Sequence, residues 1–338
     1  MEQTRAPRRR RADTGVVRSE QRYRRKYAFR ALIEAPLSPQ APQPQIIDYE
    51  GSRYRTDFWE GQGREYEDLA ERAAIQRLLP PTGDTLLEAG AGFGRLAGLY
   101  SGYRRVVLMD YSLSLLQEAH QTWEHDSRFV FVAASVYDMP FVANLFEAMV
   151  MVRVMHHLQM PNRALVEIAR IVGGGGTFVM EFANKRNLKS VARYALRRQP
   201  WSPFSAEPYE FVPLNYDFHP EWMKQQIHDA GFGVRRELAI SSFRLSGIKR
   251  FASPSWLARL DAALAGPAAI YPLSPSVMVQ CIPRKALAQP QGFFQCPDCH
   301  GADLTDGATG ITCTNCQRLW PQVNGIYDFR RTVSRETL

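Results

Sequence analysis

From residue 83 to residue 183 the chain alternates two hydrophobic rhythms. Short apolar runs recur as DTLLEAG (84–90), RRVVLMD (104–110), RFVFVAAS (128–135), EAMVMV (147–152) and TFVMEFA (177–183). Their length and β-branched content read as strands buried on both faces. Between them lie RLAGLY (95–100), SLSLLQEAHQTW (112–123) and ALVEIARIV (164–172), whose spacing reads as helix, and GGGG (173–176) reads as a turn. Strands alternating with helices imply a parallel sheet covered on both faces, an α/β fold. Upstream, DLAERAAIQRLL (68–79) has helical spacing and PPTGD ends it. Downstream, GVRRELAI (233–240) and SVMVQCIP (276–283) read as two closing strands. No internal repeat interrupts this pattern.

The flanks have a different texture. Residues 1–16, with RRRR at 8–11, are almost devoid of apolar side chains and are expected to be disordered. Residues 18–35 can form a basic helix on contact with a partner, and PLSPQAPQPQ (36–45) is a proline-rich linker. The division expected is therefore a basic tail and linker over 1–45, one domain over 46–285 with an insert at about 184–222, a linker over 286–294, and a cysteine module over 295–331. The net charge of +8 belongs to the tail: residues 1–30 hold eleven Arg or Lys against three acids, and the other 308 residues are balanced. The totals thus give the folded body no nucleic-acid-binding character, while the tail suits RNA or another anionic surface. No apolar run approaches the ~20 residues of a membrane span, and no apolar stretch follows the N-terminal arginines. A cytoplasmic protein is expected.

Residues 86–97, LLEAGAGFGRLA, place Gly90, Gly92 and Gly94 directly after a strand. Glycines let a backbone turn tightly and approach a ligand, and the helix that follows offers free N–H groups. Two nucleotide frames fit. Gly92 to Ala97 matches G-x-G-x-x-A, the dinucleotide fingerprint; Glu88 opens acid-x-G-x-G-x-G. The second frame resembles motif I of the class I S-adenosylmethionine-dependent methyltransferases, and further segments follow in that family's order. Asp110 ends the second strand where the family's acid bonds the ribose hydroxyls, and Tyr111 beside it can cover the adenine. AASVYDMPF (133–141) is similar to the family's G-D-A-x-x-L-P-F, with Ser135 in place of the usual acid, which assigns adenine to Ser135 and the Val136 backbone. FEAMVMVRVMHHL (146–158), RIVGGGGTFVMEF and HPEWMKQQIHDAGFGV (219–234) resemble the family's later segments. The resemblance covers about residues 50–284 and is nearest the quinone-biosynthesis subgroup. It implies a Rossmann-like, seven-stranded, doubly wound sheet and S-adenosylmethionine as donor. The Tyr- and Arg-rich stretch 49–72 matches a segment the family often lays over the donor's carboxylate; Arg64 and Tyr66 are the candidates there.

In such a reaction the methyl group is already activated as a sulfonium, so alignment of the acceptor does most of the work. His156 and His157, at the end of the fourth strand, are candidates for a base or for positioning the acceptor. Arg153 is unusual at a strand end and suits an anionic acceptor or an acid such as Glu147 or Glu181. The Asn/Asp-Pro-Pro-Tyr/Phe motif for planar amines is missing after this strand, and Cys281 is the only thiol outside the cysteine module. An oxygen, carbon or aliphatic nitrogen of a small-molecule or lipid-like acceptor is left, with RNA, a translation-related protein and non-catalytic donor binding as alternatives. The insert carries NKRNLKSVARYALRRQ (184–199), six cations without an acid, and then seven aromatics over 201–222. It reads as an acceptor lid.

Cys296, Cys299, Cys313 and Cys316 form two C-x2-C pairs, the ligand set of a structural, closed zinc site. The module's end, CQRLWPQVNGIYDFR (316–330), resembles the zinc-ribbon activator subunit of methyltransferases that act on tRNA, ribosomal RNA and release factors. That resemblance leaves open recruitment of substrate or stabilisation in cis.

Overall fold

The computed structural model describes residues 44–244 and 246–330. The basic tail, the basic segment 18–35 and nearly all of the proline-rich stretch lie outside the described residues. Among those described, no helix is long and apolar enough to cross a membrane.

The strands expected from the apolar runs form β1 (Gly83–Ala89), β2 (Tyr103–Asp110), β3 (Phe129–Ala133), β4 (Phe146–Met151) and β5 (Val172–Ala183). Helices α1 (Glu65–Leu78), α2 (Leu113–Trp123) and α3 (Pro161–Ile171) accompany them. After an insert made of α4 (Leu188–Ala195) and the hairpin β6 (Tyr209–Val212) and β7 (Asn215–Asp217), the chain continues through α5 (Pro220–Asp229), β8 (Phe232–Ile240), α6 (Ser246–Phe251), α7 (Pro254–Ala268) and β9 (Ser276–Pro283). The central order is β3-β2-β1-β4-β5-β9-β8. Strands β1 to β5 are parallel, and β9 is antiparallel to both neighbours. This is the seven-stranded Rossmann-like sheet. Leu86 and Leu87 of β1 and Met149 to Met151 of β4 are wholly buried, which explains why these strands read as unbroken apolar runs rather than alternating ones. The order reverses between β1 and β4, and ligands of open α/β sheets bind beyond the strand ends at such a reversal.

Two local expectations are corrected. The four glycines at 173–176 are not a turn before the fifth strand; they are its opening residues. The backbone of residues 286–287 crosses them so closely that a Cβ on Gly174 would lie 2.3 Å from the Ala286 carbonyl oxygen. RLAGLY forms a single 3-10 turn, Ala97–Tyr100, not a full helix.

The cysteine segment folds as β10 (Leu304–Gly307), β11 (Gly310–Cys313), β12 (Leu319–Val323) and β13 (Ile326–Asp328). It docks firmly. β13 pairs in parallel with β3, aligning Ile326 with Phe131 and Asp328 with Ala133, and the Phe329 N–H donates to the Ala133 carbonyl at 2.8 Å. The edge of β3 is thereby covered, which removes a surface prone to pairing with other chains. The turn into β13 needs glycine: Gly325 has φ +79°, and a Cβ there would meet the His120 ring at 2.4 Å. Cys296, Ile311, Trp320 and Phe329 belong to the same hydrophobic core as the sheet, and Phe293 and Phe294 pack on Phe141.

Candidate active site

The turn after β1 is tied to β2 by its own backbone. The N–H groups of Gly90 and Ala91 both donate to the Met109 carbonyl, at 2.8 and 3.0 Å. Gly90 has φ +76°, and a Cβ there would overlap Val154 at 2.0 Å, so the turn and the end of β4 can meet only through a glycine. One residue pair on, the Gly92 N–H donates to Asp110 Oδ2 at 2.7 Å while the Ser112 N–H donates to Oδ1 at 2.9 Å. Burial raises the Asp110 carboxyl and these N–H groups oppose it. Asp110 is thus a strut of the turn, with lone pairs left over for a ligand.

Above this turn lies a cleft that opens to solvent. Glu88, Gly90, Gly92, Asp110, Tyr111, Val136, Arg153 and His157 all line it. Glu88 is the most telling: it is 3% exposed, and its Oε2 makes no well-formed hydrogen bond, with the equally buried Tyr100 hydroxyl as its polar neighbour. Burial pushes its carboxyl up to about 8. A buried acceptor left open costs stability unless a ligand meets it. The roof is the segment 46–59. The Tyr49 hydroxyl lies 3.3 Å from His157 Nε2. The Glu50 carboxylate accepts from the Leu113 and Ser114 N–H groups at 2.8 and 3.1 Å, sitting at the positive end of α2.

The remaining candidates stand elsewhere. Gly94 is turned toward Trp123. The Ser135 hydroxyl accepts from the Tyr137 N–H at 3.1 Å and does not line the cleft. His156 is half-buried behind His157, with ring centroids 4.0 Å apart and its buried Nδ1 unpartnered. Burial first, then His157 and Arg153, hold His156 far below the ordinary imidazole value, so it is neutral. Arg64 stacks on Phe58 at 3.6 Å and lines a shallow outer groove. Tyr66 is fully buried against α7, where its hydroxyl accepts from the Phe243 N–H at 3.0 Å. Neither reaches the cleft, because α1 turns its Tyr66 face inward.

Two cations line the cleft, Arg95 and Arg153, and Arg153 is held in a left-handed backbone conformation, φ 61°. Its backbone N–H donates to Glu181 Oε2 at 3.1 Å, and its Nε and Nη2 lie 2.7 and 2.6 Å from Glu71 Oε1. Arg95, the residue after the third glycine, meets the other Glu71 oxygen at 2.7 Å, pairs with Asp68 and lies 3.8 Å over Trp59. Burial alone would raise the Glu71 carboxyl, but Arg153 and Arg95 outweigh it and hold it below the ordinary range. This network of Asp68, Glu71, Arg95 and Arg153 was not anticipated. A signal for it exists: Glu71 falls on the same face of α1 as Ala70, Ala74 and Leu78, all buried, and an acid in a core position needs a cation.

A second unanticipated contact comes from the far end of the described chain. Arg330, with only 8% of its side chain exposed, pairs with Asp328 at 2.9 Å and donates to the Tyr111 carbonyl at 2.8 Å. It also reaches Glu50 at 3.3 Å. The cysteine module therefore braces both the wall and the roof of the cleft. Arg330→Ala is expected to weaken binding of the cleft's ligand by about tenfold, or about 1.4 kcal/mol. Titration calorimetry on the two proteins checks this; equal affinities would mean that the brace does not shape the cleft.

The four cysteine sulfurs lie within 4.8 Å of one another. Cys296 and Cys316 are separated by 3.7 Å and Cys299 and Cys313 by 3.5 Å. A tetrahedral ion with metal–sulfur bonds of ~2.3 Å sets its ligand sulfurs about 3.8 Å apart, so the donor set and its spacing suit zinc.

Known proteins resemble this chain over part of its length. Residues 87–180, from β1 into β5, match the family model described as a methyltransferase domain. A methyltransferase of Arabidopsis thaliana, described as uncharacterized and chloroplastic, is 26% identical over 156 residues, covering 43% of each protein. The demethylmenaquinone methyltransferase of Clavibacter sepedonicus is 28% identical over 115 residues, covering 34% of this chain and 47% of the relative. The chain spans less than half the length of these curated relatives. Among solved structures, an S-adenosylmethionine-dependent methyltransferase of Mesorhizobium loti superposes with a TM-score of 0.44 at 15% identity, covering 64% of this chain and 99% of that one. The likeness to methyltransferases thus rests on the span from β1 into β5.

Proposed function

We propose that the protein transfers a methyl group from S-adenosylmethionine to an oxygen, carbon or aliphatic nitrogen of a small-molecule or lipid-like acceptor. The observation that carries the reading is the pairing of an unpartnered, buried Glu88 oxygen with Asp110 across a glycine turn that brings backbone close to the ligand. Glu88 suits the donor's ammonium group, and an arriving cation would favour its ionised form. The open lone pairs of Asp110 suit two ribose hydroxyls. Tyr111 and Val136 supply apolar walls for the adenine. The bound donor supplies an electrophilic methyl on a positively charged sulfur.

The chain's own contribution is alignment and proton handling. Arg153, fixed by Glu71, presents a positive charge to an anionic acceptor. His157 Nδ1 lies 3.2 Å from the Leu214 carbonyl, which can only accept, so Nδ1 carries the proton and Nε2 keeps its lone pair. Burial holds the ring below the ordinary imidazole value, and it is neutral at pH 7. His157 Nε2 can thus receive the proton an acceptor hydroxyl loses, with Tyr49 as the intervening group. His156 supports this ring from behind. Calorimetry with S-adenosylmethionine and with NAD tests the donor: binding of NAD alone would sink the reading. Incubation with methyl-labelled donor and a cell extract tests the acceptor; label in the small-molecule or lipid fraction is expected, and label confined to RNA or protein would overturn that part.

We infer in addition that Cys296, Cys299, Cys313 and Cys316 hold a structural zinc, since all four positions around the ion are filled by thiolates. One zinc per chain is expected by elemental analysis. Chelation is expected to lower the melting temperature by several degrees, because docking of β13 depends on a folded module. A protein that melts identically with and without chelator would rule out the structural role.

A further inference from the structure

The insert presents an unusual outer surface. Of the eight residues of α4, only Ser190 is buried. Leu188 and Leu196 are 63% and 64% exposed, and Phe211 and Val212 at the hairpin tip are about half exposed, at 51% and 49%. Lys189, Arg193, Arg197 and Arg198 are interleaved with them and exposed, and no acid occurs between 184 and 199. Lys189, Arg193 and Arg198 line a cleft shared with Trp201, Tyr209 and Phe211. Large aliphatic side chains beside a row of cations form the two-part surface of a segment that lies in a membrane interface, with the apolar atoms in the acyl boundary and the cations among headgroup phosphates.

We propose that this insert surface docks on an anionic lipid bilayer. Charge complementarity selects an anionic partner, and the aliphatic residues select lipid over nucleic acid. A single-stranded nucleic acid would need a row of open aromatic faces; here Trp201 and Tyr209 are stacked on each other at 4.4 Å and Tyr194 and Phe204 pack edge to face at 6.3 Å, which leaves Phe211 as an exposed ring beside Val212. Of the nearby acids, Glu207 and Glu210 are exposed, Glu210 accepting from the Leu214 N–H at 2.8 Å, and Asp217 lines the cleft; the cations of α4 and the turn after it outnumber them. The hairpin tip also connects to the cleft. Leu214, two residues past Val212, is the residue whose carbonyl meets His157. A bilayer holding Phe211 and Val212 would therefore set the mouth of the active site at headgroup depth. This inference concerns the surface and is independent of the acceptor reading, since docking needs neither donor nor acceptor.

Co-sedimentation of the full chain with phosphatidylcholine vesicles, with and without a third of phosphatidylglycerol, tests it. Partitioning is expected to be at least tenfold stronger on the anionic vesicles. Arg193→Gln with Arg198→Gln should lower it by roughly 30-fold, the equivalent of about 1 kcal/mol per basic residue. Leu188→Gln with Leu196→Gln should lower it roughly tenfold. Both variants should bind S-adenosylmethionine as the parent protein does, which shows that they are folded. Equal partitioning of parent and both variants would assign the binding to residues 1–30 and overturn the proposal. Failure to sediment with either vesicle, or an arginine pair that sets affinity for single-stranded RNA instead, would overturn it as well.

Discussion

Replacing Glu71 by alanine is expected to lower the unfolding free energy by about 3–5 kcal/mol. Glu71 has 1% of its side chain exposed and lies between two guanidinium groups, Arg153 on one oxygen and Arg95 on the other. Removing the acid leaves two cations in a buried setting, one of them 12% and the other 13% exposed. Repulsion between like charges and lost solvation then act together. Replacing both partners of such a pair is far milder than removing one, so Glu71→Ala should cost more than a variant that also replaces Arg153 by methionine. Urea titration reads the effect as a lower midpoint with an unchanged slope. A loss below about 1 kcal/mol would show that water reaches Arg153 and Arg95 readily, and that the network is a surface arrangement.

Asp110→Ala is expected to weaken binding of S-adenosylmethionine at least 100-fold, about 2.7 kcal/mol. Two consequences combine. The Gly92 and Ser112 N–H groups lose their acceptor, so the glycine turn loses its strut, and the ligand loses a carboxylate. Asp110→Asn should not restore binding. Each of the two Asp110 oxygens accepts from a backbone N–H, so an amide NH₂ must face one N–H donor whichever way it is turned. Calorimetry gives the affinities, and circular dichroism confirms that the sheet persists. A loss under tenfold would remove Asp110 from donor binding and leave it as a turn residue.

The contrast between these two acids shows what the sequence made legible. Asp110 could be placed because its position is local: it ends an apolar run, twenty residues after a glycine turn that ends another, and parallel pairing of β1 with β2 brings the two ends together. Glu71 could not be placed this way. Its partners lie 24 and 82 residues further along, and spacing does not say which arginine meets which acid. Tyr66 is a different case. It begins an i, i+4 series, Tyr66, Ala70, Ala74, Leu78, all buried in α1, and that periodicity pointed to packing rather than to a ligand. The glycines at 173–176 read as a turn because glycine usually weakens a strand; the crossing backbone at 286–287 that requires them is over 100 residues away in sequence. Arg330 was invisible for the same reason, since a basic residue after a cysteine module has many possible neighbours.

The strand pairing of β13 with β3 also sets a schedule. Tyr111 and Arg330 are 219 residues apart, and at a synthesis rate of ~5–20 residues per second that interval lasts about ten to forty seconds. Throughout it, β1 to β5 can already have formed, yet the edge of β3 stays bare and the wall of the cleft lacks its brace. The nascent domain thus passes through a period in which its open edge can pair with other chains. Completion then waits on a contact of high sequence separation, the slowest kind to form. A cell making this protein has reason to keep chaperones at the ribosome until the cysteine segment has emerged, and the segment's folding decides when the edge of β3 is covered.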